Sequence, residues 1–364
     1  MKIAELIAFL DDWAHPSLAE DYDNVGLLVG RKDRNVSKIL VSLDTTEEVV
    51  KEAKELGCEV IISHHPILFK GIKKLTGQNY VARTIELAIQ NNIGIYAIHT
   101  NLDSVQDGVN RKMAARLGLK NLKTLRPQTG KLLNLTFFVP NPNKEEVLKA
   151  IHIAGAGHIG NYSQCSFSTQ GKGRFLPNEN TNPSLGDKGK LEEIEETKIE
   201  VILPKFLKNK VLSALFASHP YEEVAYFINE LSNEWQDVGA GMIGELPQPL
   251  SKSEFIDLVK DRFNLQMLRY TESENKIIEK VALCGGSGFF LLGDAIGAEA
   301  EAFVTSDIKY HEFFDAEKRL MLMDIGHFES EQYTSELIME KLSNQFPNIA
   351  VLLSKTKTNP VLYA

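Results

Sequence analysis

Short apolar runs alternate with amphipathic helical patterns along the first 125 residues. The runs "SKILVSLD", "CEVIISHH" and "GIYAIHT" predict strands, and "EEVVKEAKELG", "YVARTIELAIQNN" and "VNRKMAARLG" predict helices. This alternation is typical of parallel β-α-β units, whose strands are buried on both faces and therefore show unbroken apolar runs. The alternation returns from about residue 244 to residue 364. We therefore predict one α/β domain built from both ends of the chain.

The pattern changes between residues 126 and 243. The predicted order there is a strand "LLNLTFFVP", a helix, a strand "NYSQCSFSTQG", a strand "TKIEVILP", a helix, and "EEVAYFINEL", an ambiguous pattern that we interpret as a strand. This β-α-β, β-α-β order is the split, ferredoxin-like arrangement. The stretch "GKGRFLPNENTNPSLGDKGKLEE" is rich in Gly, Pro and Asn and predicts a long loop. We predict an inserted α+β domain at 126–243 that interrupts an α/β domain formed by 1–125 and 244–364.

Composition limits the classes of protein to consider. The chain has 364 residues, of which 43% are hydrophobic and 24% charged, as expected for two or three globular domains. No apolar stretch is long enough for a membrane span, and Asp11 and Asp12 interrupt the apolar N-terminus, which predicts an amphipathic helix. Three separated cysteines without a CxxC pair suggest neither disulfides nor a thiolate zinc site, so we expect a reducing cytoplasm. The net charge of −9 gives no reason to expect general nucleic-acid binding.

Side chains that can bind metal follow three predicted strands. They are His64 and His65, then His99 and Asp103 with Asn101 between them, and finally His327 and Glu331. Sites in open α/β sheets form beyond the carboxyl ends of the strands, and all three groups lie at such ends. His327 and Glu331 are four residues apart on a predicted helix and can reach one point. His64 and His65 end a strand, so their rings need not point to opposite faces, and they can serve neighbouring ligand positions.

The number of candidate ligands indicates more than one metal. Three imidazoles and two carboxylates, from His64, His65, His327, Asp103 and Glu331, exceed the needs of one zinc site with an open position. They suit a two-metal cluster in which a carboxylate forms the bridge. Nitrogen and oxygen ligands without thiolate permit zinc, iron, manganese or nickel.

Each group also has a simpler explanation when taken alone. A His-His pair is usually a surface turn, an HxxxE pattern is commonly a charged helix face, and Asp103 could cap a helix. His99 either orients a ligand or fills the end of a strand. "CGGSG" at 284–288 resembles a phosphate-binding turn but lacks the P-loop lysine. We interpret the remaining histidines as structural or surface residues: His15, His152, His158, His219 and His311. The coincidence of three groups at like topological positions favours the metal site.

Five motifs resemble one known family. "EDYDNVGLLVG", "SHHP", "HTNLD", "TSDIKYH" and "DIGHFESE" occur in the order found in the NIF-three-like family, the GTP cyclohydrolase 1 type 2 homologues. The resemblance covers the chain outside the insert. The insert, with "GAGHIGNYSQCSFSTQGKGRFLP", resembles the PII- or CutA-like domain of the longer bacterial members.

The resemblance implies a fold, a metal centre and an assembly. It implies a NIF-three-like α/β domain interrupted by a PII/CutA-like α+β domain, and a toroidal homohexamer with its metal sites facing an internal cavity. It also implies a dinuclear centre. Together with the ligand types, we expect two divalent ions per subunit, zinc or iron first and manganese or nickel as alternatives. The family's ligands carry over onto His64, His65, Asp103, His327 and Glu331.

The activity implied by the resemblance is hydrolytic opening of the guanine imidazole ring of GTP with loss of formate. We interpret His99 and Asp307 as candidates for proton transfer, and Lys309 with the 285–288 turn as candidates for the triphosphate. Two alternatives remain open. One is a metal-binding or metal-trafficking protein without turnover, and the other is a regulatory hexamer whose insert senses a small molecule.

Overall fold

The computed structural model describes all residues from 1 to 364. The chain divides into two compact units. The split unit comprises Met1–Pro127 and Asp237–Ala364, and the middle unit comprises Gln128–Gln236. No helix of the structure has both the length and the apolar character needed to cross a membrane.

Helices and strands follow one another along the chain in three groups. The first part of the split unit contains α1 (Ile3–Trp13), β1 (Gly26–Val29), β2 (Lys38–Ser42), α2 (Glu47–Leu56), β3 (Val60–Ser63), α3 (Tyr80–Gln90), β4 (Gly94–Ala97), α4 (Thr100–Ser104), α5 (Val109–Leu117) and β5 (Lys120–Gln128). The middle unit contains β6 (Leu132–Pro140), α6 (Lys144–Ile153), β7 (Phe167–Phe175), β8 (Glu192–Pro204), α7 (Lys208–Ser218) and β9 (Tyr226–Leu231). The remaining elements are β10 (Trp235–Ser251), α8 (Lys252–Phe263), β11 (Arg269–Tyr270), β12 (Ile277–Leu283), α9 (Leu292–Gly297), β13 (Ala302–Thr305), β14 (Met321–Asp324), α10 (His327–Glu331), α11 (Thr334–Gln345) and β15 (Ala350–Leu353).

The split unit is a mixed α/β fold with two sheets. One sheet has the order β1-β4-β3-β2-β15, and the other has the order β11-β14-β13-β12-β10-β5. The inner strands β2, β3 and β4 run parallel, as do β12, β13 and β14. Strands β3, β4, β13 and β14 are buried along their whole length, which explains their unbroken apolar sequences.

Local sequence signals set the helices that connect these strands. Thr46 caps α2 by accepting a hydrogen bond from the amide of Val49, and Gly57 ends the helix in the left-handed conformation. The chain can therefore turn back at once into β3, which lies beside β2 in the sheet.

The strand register brings the polar residues together at the sheet edges. Ser63 pairs with Ser42 on one side and with Ala97 on the other, so the carboxyl ends of β2, β3 and β4 are level. Thr305 pairs with Asp324, so β13 and β14 also end together. The residues that follow these five strands include all the candidate metal ligands.

The middle unit contains one four-stranded sheet with the order β7-β8-β6-β9 and antiparallel neighbours. Its order along the chain is β-α-β-β-α-β, as the apolar pattern predicted. Helices α6 and α7 pack on one face of the sheet, where Leu135 and Val201 join Ile151 and Leu215 in a buried cluster. Its assignment as a PII- or CutA-like domain remains a proposal.

The structure differs from the predicted elements in four places. The strand predicted to include His64 and His65 ends at Ser63. The strand predicted at 161–171 is displaced: β7 begins only at Phe167, and residues 172–175, predicted as loop, belong to it because they pair with residues of β8. Strand β10 begins before the predicted domain boundary at 243 and continues through it. The pattern also missed β1, β5 and β11, which are short or carry many polar residues.

Candidate metal centre

His64 and Asp103 present two buried polar atoms to each other. The side chain of His64 is fully buried, and its Nδ1 donates a hydrogen bond to the carbonyl oxygen of Ile98 at 2.8 Å. Its Nε2 is therefore the unprotonated nitrogen of a neutral ring. This Nε2 lies 3.6 Å from Oδ1 of Asp103, and neither atom has a hydrogen-bond partner. Buried polar atoms without partners are rare, so the pair indicates a position where a cation would satisfy both.

His65, His327 and Glu331 form the neighbouring half of the cluster. Oε2 of Glu331 lies 2.9 Å from Nε2 of His65 and 3.1 Å from Nε2 of His327. The two Nε2 atoms are 3.3 Å apart. The other carboxylate oxygen of Glu331, Oε1, lies 3.8 Å from Nε2 of His64. Glu331 thus directs one oxygen to each half.

Two carboxylates outside the cluster fix the rings of His65 and His327. Nδ1 of His65 donates to Oδ1 of Asp44 at 2.7 Å, and Nδ1 of His327 donates to Oδ2 of Asp307 at 2.6 Å. Histidines that bind metal usually donate their other ring N–H to a carboxylate or carbonyl, which fixes the tautomer. All three imidazoles of the cluster have this arrangement, with Nε2 directed inward.

The pKa values of the histidines follow from burial and from these carboxylates. Burial lowers the pKa of His64 to about 4, so its ring is neutral at pH 7. Burial alone would also lower the pKa of His65, but hydrogen bonds with Asp44 and Glu331 outweigh it and raise the pKa to about 9. Hydrogen bonds likewise overcome burial at His327 and raise its pKa to about 11.

The pKa values of the two carboxyl groups of the cluster, Asp103 and Glu331, are shifted in opposite directions. Burial, and then the charge of Glu331, raises the pKa of Asp103 well above its usual range. Burial alone would raise the pKa of Glu331 as well, but its three histidine neighbours lower it well below the usual range. The cluster therefore concentrates negative charge on Glu331, between two sets of nitrogen ligands.

The glycine turn at 285–288 makes room for Glu331. A Cβ at Gly286 would lie 2.4 Å from Oε1 of Glu331, and Gly286 has a φ of +62°. Three amides of the turn already donate to side chains of the protein, namely Gly285 to Asn110, Gly286 to Ser330 and Gly288 to Thr305. These hydrogen bonds argue against the phosphate-binding interpretation of this turn. Lys309 gives no support to it either, because the side chain of Lys309 is 84% exposed and its Nζ lies 3.3 Å from Glu312.

His99 lies beside the cluster with its ring held by Asp23. Nδ1 of His99 donates to Oδ1 of Asp23 at 2.9 Å, and Oδ2 of Asp23 accepts from the hydroxyl of Thr100 at 2.5 Å. Burial alone would raise the pKa of Asp23, but the hydrogen bonds with His99 and Thr100 outweigh it and lower the pKa to about 2. A ring nitrogen of His99 lies within 4.8 Å of ligand atoms of His64 and His65.

The cluster opens into a cavity of about 1130 Å³ within the split unit. Tyr22, Phe69 and Phe328 contribute aromatic surface to its walls. The C-terminal segment also lines it, and the hydroxyl of Thr358 donates to Oδ2 of Asp44 at 2.5 Å. A volume of this size accommodates a small molecule beside the ligands.

Comparison with known proteins identifies the family. The model of the family described as Duf34/NIF3 (NGG1p interacting factor 3) matches residues 1–360. The chain belongs to the DUF34/NIF3 family. A Halalkalibacterium halodurans protein is 40% identical over 372 residues, and a Bacillus subtilis protein is 33% identical over 365 residues. The first match covers 100% of both chains, and the second covers 99% of this chain and 98% of the relative. Both relatives are named GTP cyclohydrolase 1 type 2 homolog.

Solved structures of DUF34/NIF3 relatives have the same fold. A Bacillus cereus protein related to NIF3 superposes with a TM-score of 0.87 at 36% identity, with 100% of this chain and 99% of that chain covered. A Staphylococcus aureus protein gives a TM-score of 0.80 at 32% identity with the same coverage.

The structure brings all five predicted ligands together and adds residues that the sequence did not indicate. The candidate ligands fall into three groups with atoms within 4.8 Å: His64, His65 and His99; His65, His327 and Glu331; and His64, Asp103 and Glu331. Asp44 and Asp23 were not predicted from the sequence, although Asp44 follows β2 as the predicted ligands follow their strands, whereas Asp23 precedes β1. Cys284 is buried nearby, and burial raises the pKa of its thiol, which disfavours a thiolate ligand.

Proposed function

We propose that this cluster holds two divalent metal ions bridged by Glu331. His64 and Asp103 would hold one ion, and His65 and His327 would hold the other. The observation that carries the proposal is the pair of facing, unsatisfied atoms, Nε2 of His64 and Oδ1 of Asp103, both buried. Removing such atoms from water without a partner costs free energy that a bound cation offsets.

The donor set suits particular metals. Imidazole and carboxylate ligands without thiolate favour zinc or iron, with manganese or nickel as alternatives. The carboxylates of Asp44 and Asp307 support the two histidines of the second half from outside. The orienting contact of Asp307 favours a positioning role for this residue, and its predicted proton-transfer role remains a proposal.

We further propose that the chain is a metal-dependent hydrolase, with GTP as the first substrate to test. A metal ion held by these residues would lower the pKa of its bound water, to about 7 in zinc enzymes, and would supply hydroxide at neutral pH. Opening the guanine imidazole ring at C8 and releasing formate is hydrolysis of this kind, and the relatives' name supplies the choice of GTP. In this proposal His99, whose ring is held by Asp23, would accept or return a proton beside the ligands.

The test combines metal content with turnover. Protein purified without oxygen is loaded with zinc, iron, manganese or nickel, analysed for metal by mass spectrometry, and assayed for formate release from GTP. We expect two ions per chain in the wild type, and loss of formate release in His65→Ala and Asp103→Ala. His158→Ala serves as the control, because His158 is exposed and belongs to the middle unit.

The outcomes separate the proposals from each other. One ion per chain in fully loaded wild-type protein would contradict the dinuclear centre. Two ions without formate release under any metal would contradict the cyclohydrolase. The metal-carrier alternative would then lead, and transfer of bound metal to an acceptor protein would be the next measurement.

The assembly and the identity of the middle unit are further proposals. We propose a homohexamer in the cytoplasm, and light scattering coupled to size-exclusion chromatography tests its mass. The sheet order β7-β8-β6-β9, with both helices on one face, supports the PII/CutA-like assignment of the middle unit. A trimer or monomer in solution would contradict the hexamer.

A further inference from the structure

The sheet of the middle unit has a second face with a cavity of its own. Side chains alternate along β6 and β8, so Phe138 and Lys198, which pair across the strands, face away from the core that contains Phe137 and Ile199. Two loops lie against this second face and contribute Leu176, Pro183 and Ala225 among others. The cavity measures about 670 Å³, and all its lining residues lie in the middle unit.

Glu196 is a buried carboxylate of this cavity that forms no ion pair. It belongs to β8, lines the cavity and is 8% exposed. None of the ion pairs in the structure includes its carboxylate, although other glutamates of the same strand do pair: Glu193 with Lys172 at 2.9 Å and Glu200 with Lys198 at 3.0 Å. A buried carboxylate without a cation is unfavourable unless hydrogen-bond donors reach it.

The surroundings of Glu196 leave space around its carboxylate and supply no cation. A Cβ at Gly173 would lie 1.9 Å from Oε2 of Glu196, so the strand opposite has no side chain there. Tyr221 is a polar neighbour, and burial, followed by a hydrogen bond to Glu196, raises the pKa of its hydroxyl. The side chain of His219 also lies near enough to feel the charge of Glu196. A carboxylate offers about four acceptor positions, so with Tyr221 at one of them the two oxygens of Glu196 can still accept from a ligand.

We propose that this cavity binds a small planar aromatic molecule whose edge carries two adjacent N–H donors, such as an amidinium or an aminopyrimidinone ring. Glu196 accepts both N–H groups through its two oxygens, a geometry that gives short and specific hydrogen bonds. Phe138 and Phe175 supply apolar walls for the ring. The cavity volume lies within the range of sites for small ligands.

The charges around the cavity argue against an anionic ligand. Lys198 is the cation on the cavity face of β8, and Glu200 pairs with it at 3.0 Å, whereas Lys172 and Arg174 pair with Glu193 on the opposite face. Glu222 and Glu223 add further negative charge to the lining. The ligand is therefore neutral or cationic. The site uses none of the metal-binding residues, so it is independent of the proposed hydrolase.

Benzamidine and guanosine are suitable probes because both carry two adjacent N–H donors on a planar ring. Benzoate is the control probe, since it has a similar ring without donors. Binding to the full chain is measured by saturation-transfer NMR and calorimetry. We expect at least one donor probe to bind with a Kd below about 1 mM, and benzoate to show no saturation. A preference for benzamidine would indicate a cationic ligand, and a preference for guanosine a neutral one.

Variants connect this binding to Glu196. Glu196→Gln keeps the shape of the side chain but removes one acceptor, so we expect the donor probe to bind at least about 10-fold more weakly. Glu195→Gln is the matched control on the same strand, because Glu195 is exposed on the opposite face of the sheet, and it should bind the probe as the wild type does. If Glu196→Gln does not fold, Tyr221→Phe provides the second test: it removes the hydroxyl that orients the carboxylate of Glu196, and we expect about threefold weaker binding.

The proposal would be overturned by either of two results. One is that neither donor probe binds the wild type at concentrations up to about 10 mM. The other is that a folded Glu196→Gln protein, with unchanged metal content, binds the probe with the affinity of the wild type.

Discussion

Replacement of Gly286 by alanine tests whether Glu331 needs the space that this glycine leaves at the metal centre. The new Cβ would lie 2.4 Å from Oε1 of Glu331, where a separation of at least 3.0 Å is needed. Glu331 must therefore move by at least about 0.6 Å, whereas metal–ligand distances tolerate about 0.2 Å. We expect metal affinity to fall by at least about 10-fold, as for changes in residues that support ligands.

The Gly286→Ala substitution also lowers the stability of the protein through backbone strain, so a control variant with the same strain is needed. Gly286 has a φ of +62°, so alanine there costs about 1–2 kcal/mol in the left-handed conformation. Gly118 has a φ of +72° at the end of α5, and a Cβ there meets only Pro247, at 4.0 Å. Gly118→Ala should therefore lower the melting temperature by a similar few degrees while metal binding stays unchanged.

The assay is metal competition against a chelator, combined with thermal unfolding of each variant before and after metal loading. Only Gly286→Ala should lose affinity, and metal should therefore stabilise it less than it stabilises Gly118→Ala. Wild-type metal affinity in a folded Gly286→Ala protein would refute the reasoning, because Glu331 could then not be the ligand that this turn accommodates.

Four further predictions follow from individual contacts. Thr358→Val removes the hydroxyl that donates to Asp44, so we expect severalfold weaker metal binding, measured by competition with a chelator. Thr356→Val is the control: it loses a hydrogen bond to Glu52 instead and should bind metal as the wild type does. Metal binding at pH 7 should release one proton each from His65 and His327, because their pKa values of about 9 and 11 lie above pH 7 and only neutral imidazole rings bind metal. Calorimetry of metal binding in buffers of different ionisation enthalpy measures this release, and a binding enthalpy that is the same in every buffer would contradict it. Asp23→Asn should lower the turnover number at least about 10-fold with unchanged metal content if His99 transfers protons, and equal turnover would exclude that role. Deleting the middle unit and joining Pro127 to Asp237 through a short linker should leave a folded, metal-binding split unit. The two ends to be joined lie close together, because Gly239 packs against the backbone of Arg126 and Pro127. Aggregation of several such proteins, with no metal bound, would contradict the unit boundary.

Much of the candidate site can be predicted from the sequence because its ligands follow buried parallel strands. An apolar run marks a strand that is buried on both faces, and the polar residues directly after it must reach the sheet edge. His64, His65 and His327 were found in this way, as were Asp103 and Glu331. The order of elements in the middle unit could also be predicted, since each strand and helix there has its own apolar periodicity.

The direction of each side chain was decided only by the tertiary structure. The sequence places His65 beside His64, but it does not say that Nδ1 of His65 meets Asp44 or that Nε2 meets Glu331, which lies 266 residues further along the chain. Asp23 precedes its strand and has no local pattern that separates it from surface carboxylates, and Asp44 follows β2 without a histidine beside it that would mark a ligand. Glu196 likewise resembles its exposed neighbours in "EEIEETKIE", and only the loops that cover the sheet make it buried.

The strands that the sequence analysis missed have the same explanation. Gly171–Phe175 has the composition of a loop, yet it pairs with β8 because the neighbouring strand supplies its hydrogen-bond partners. The spacing of apolar residues along a strand or helix shows which of its residues face a core, and this spacing is present in the sequence of that strand or helix alone. Strand pairing, ring orientation and the burial of a single carboxylate depend on residues that are distant in sequence, and these become neighbours only when the chain folds.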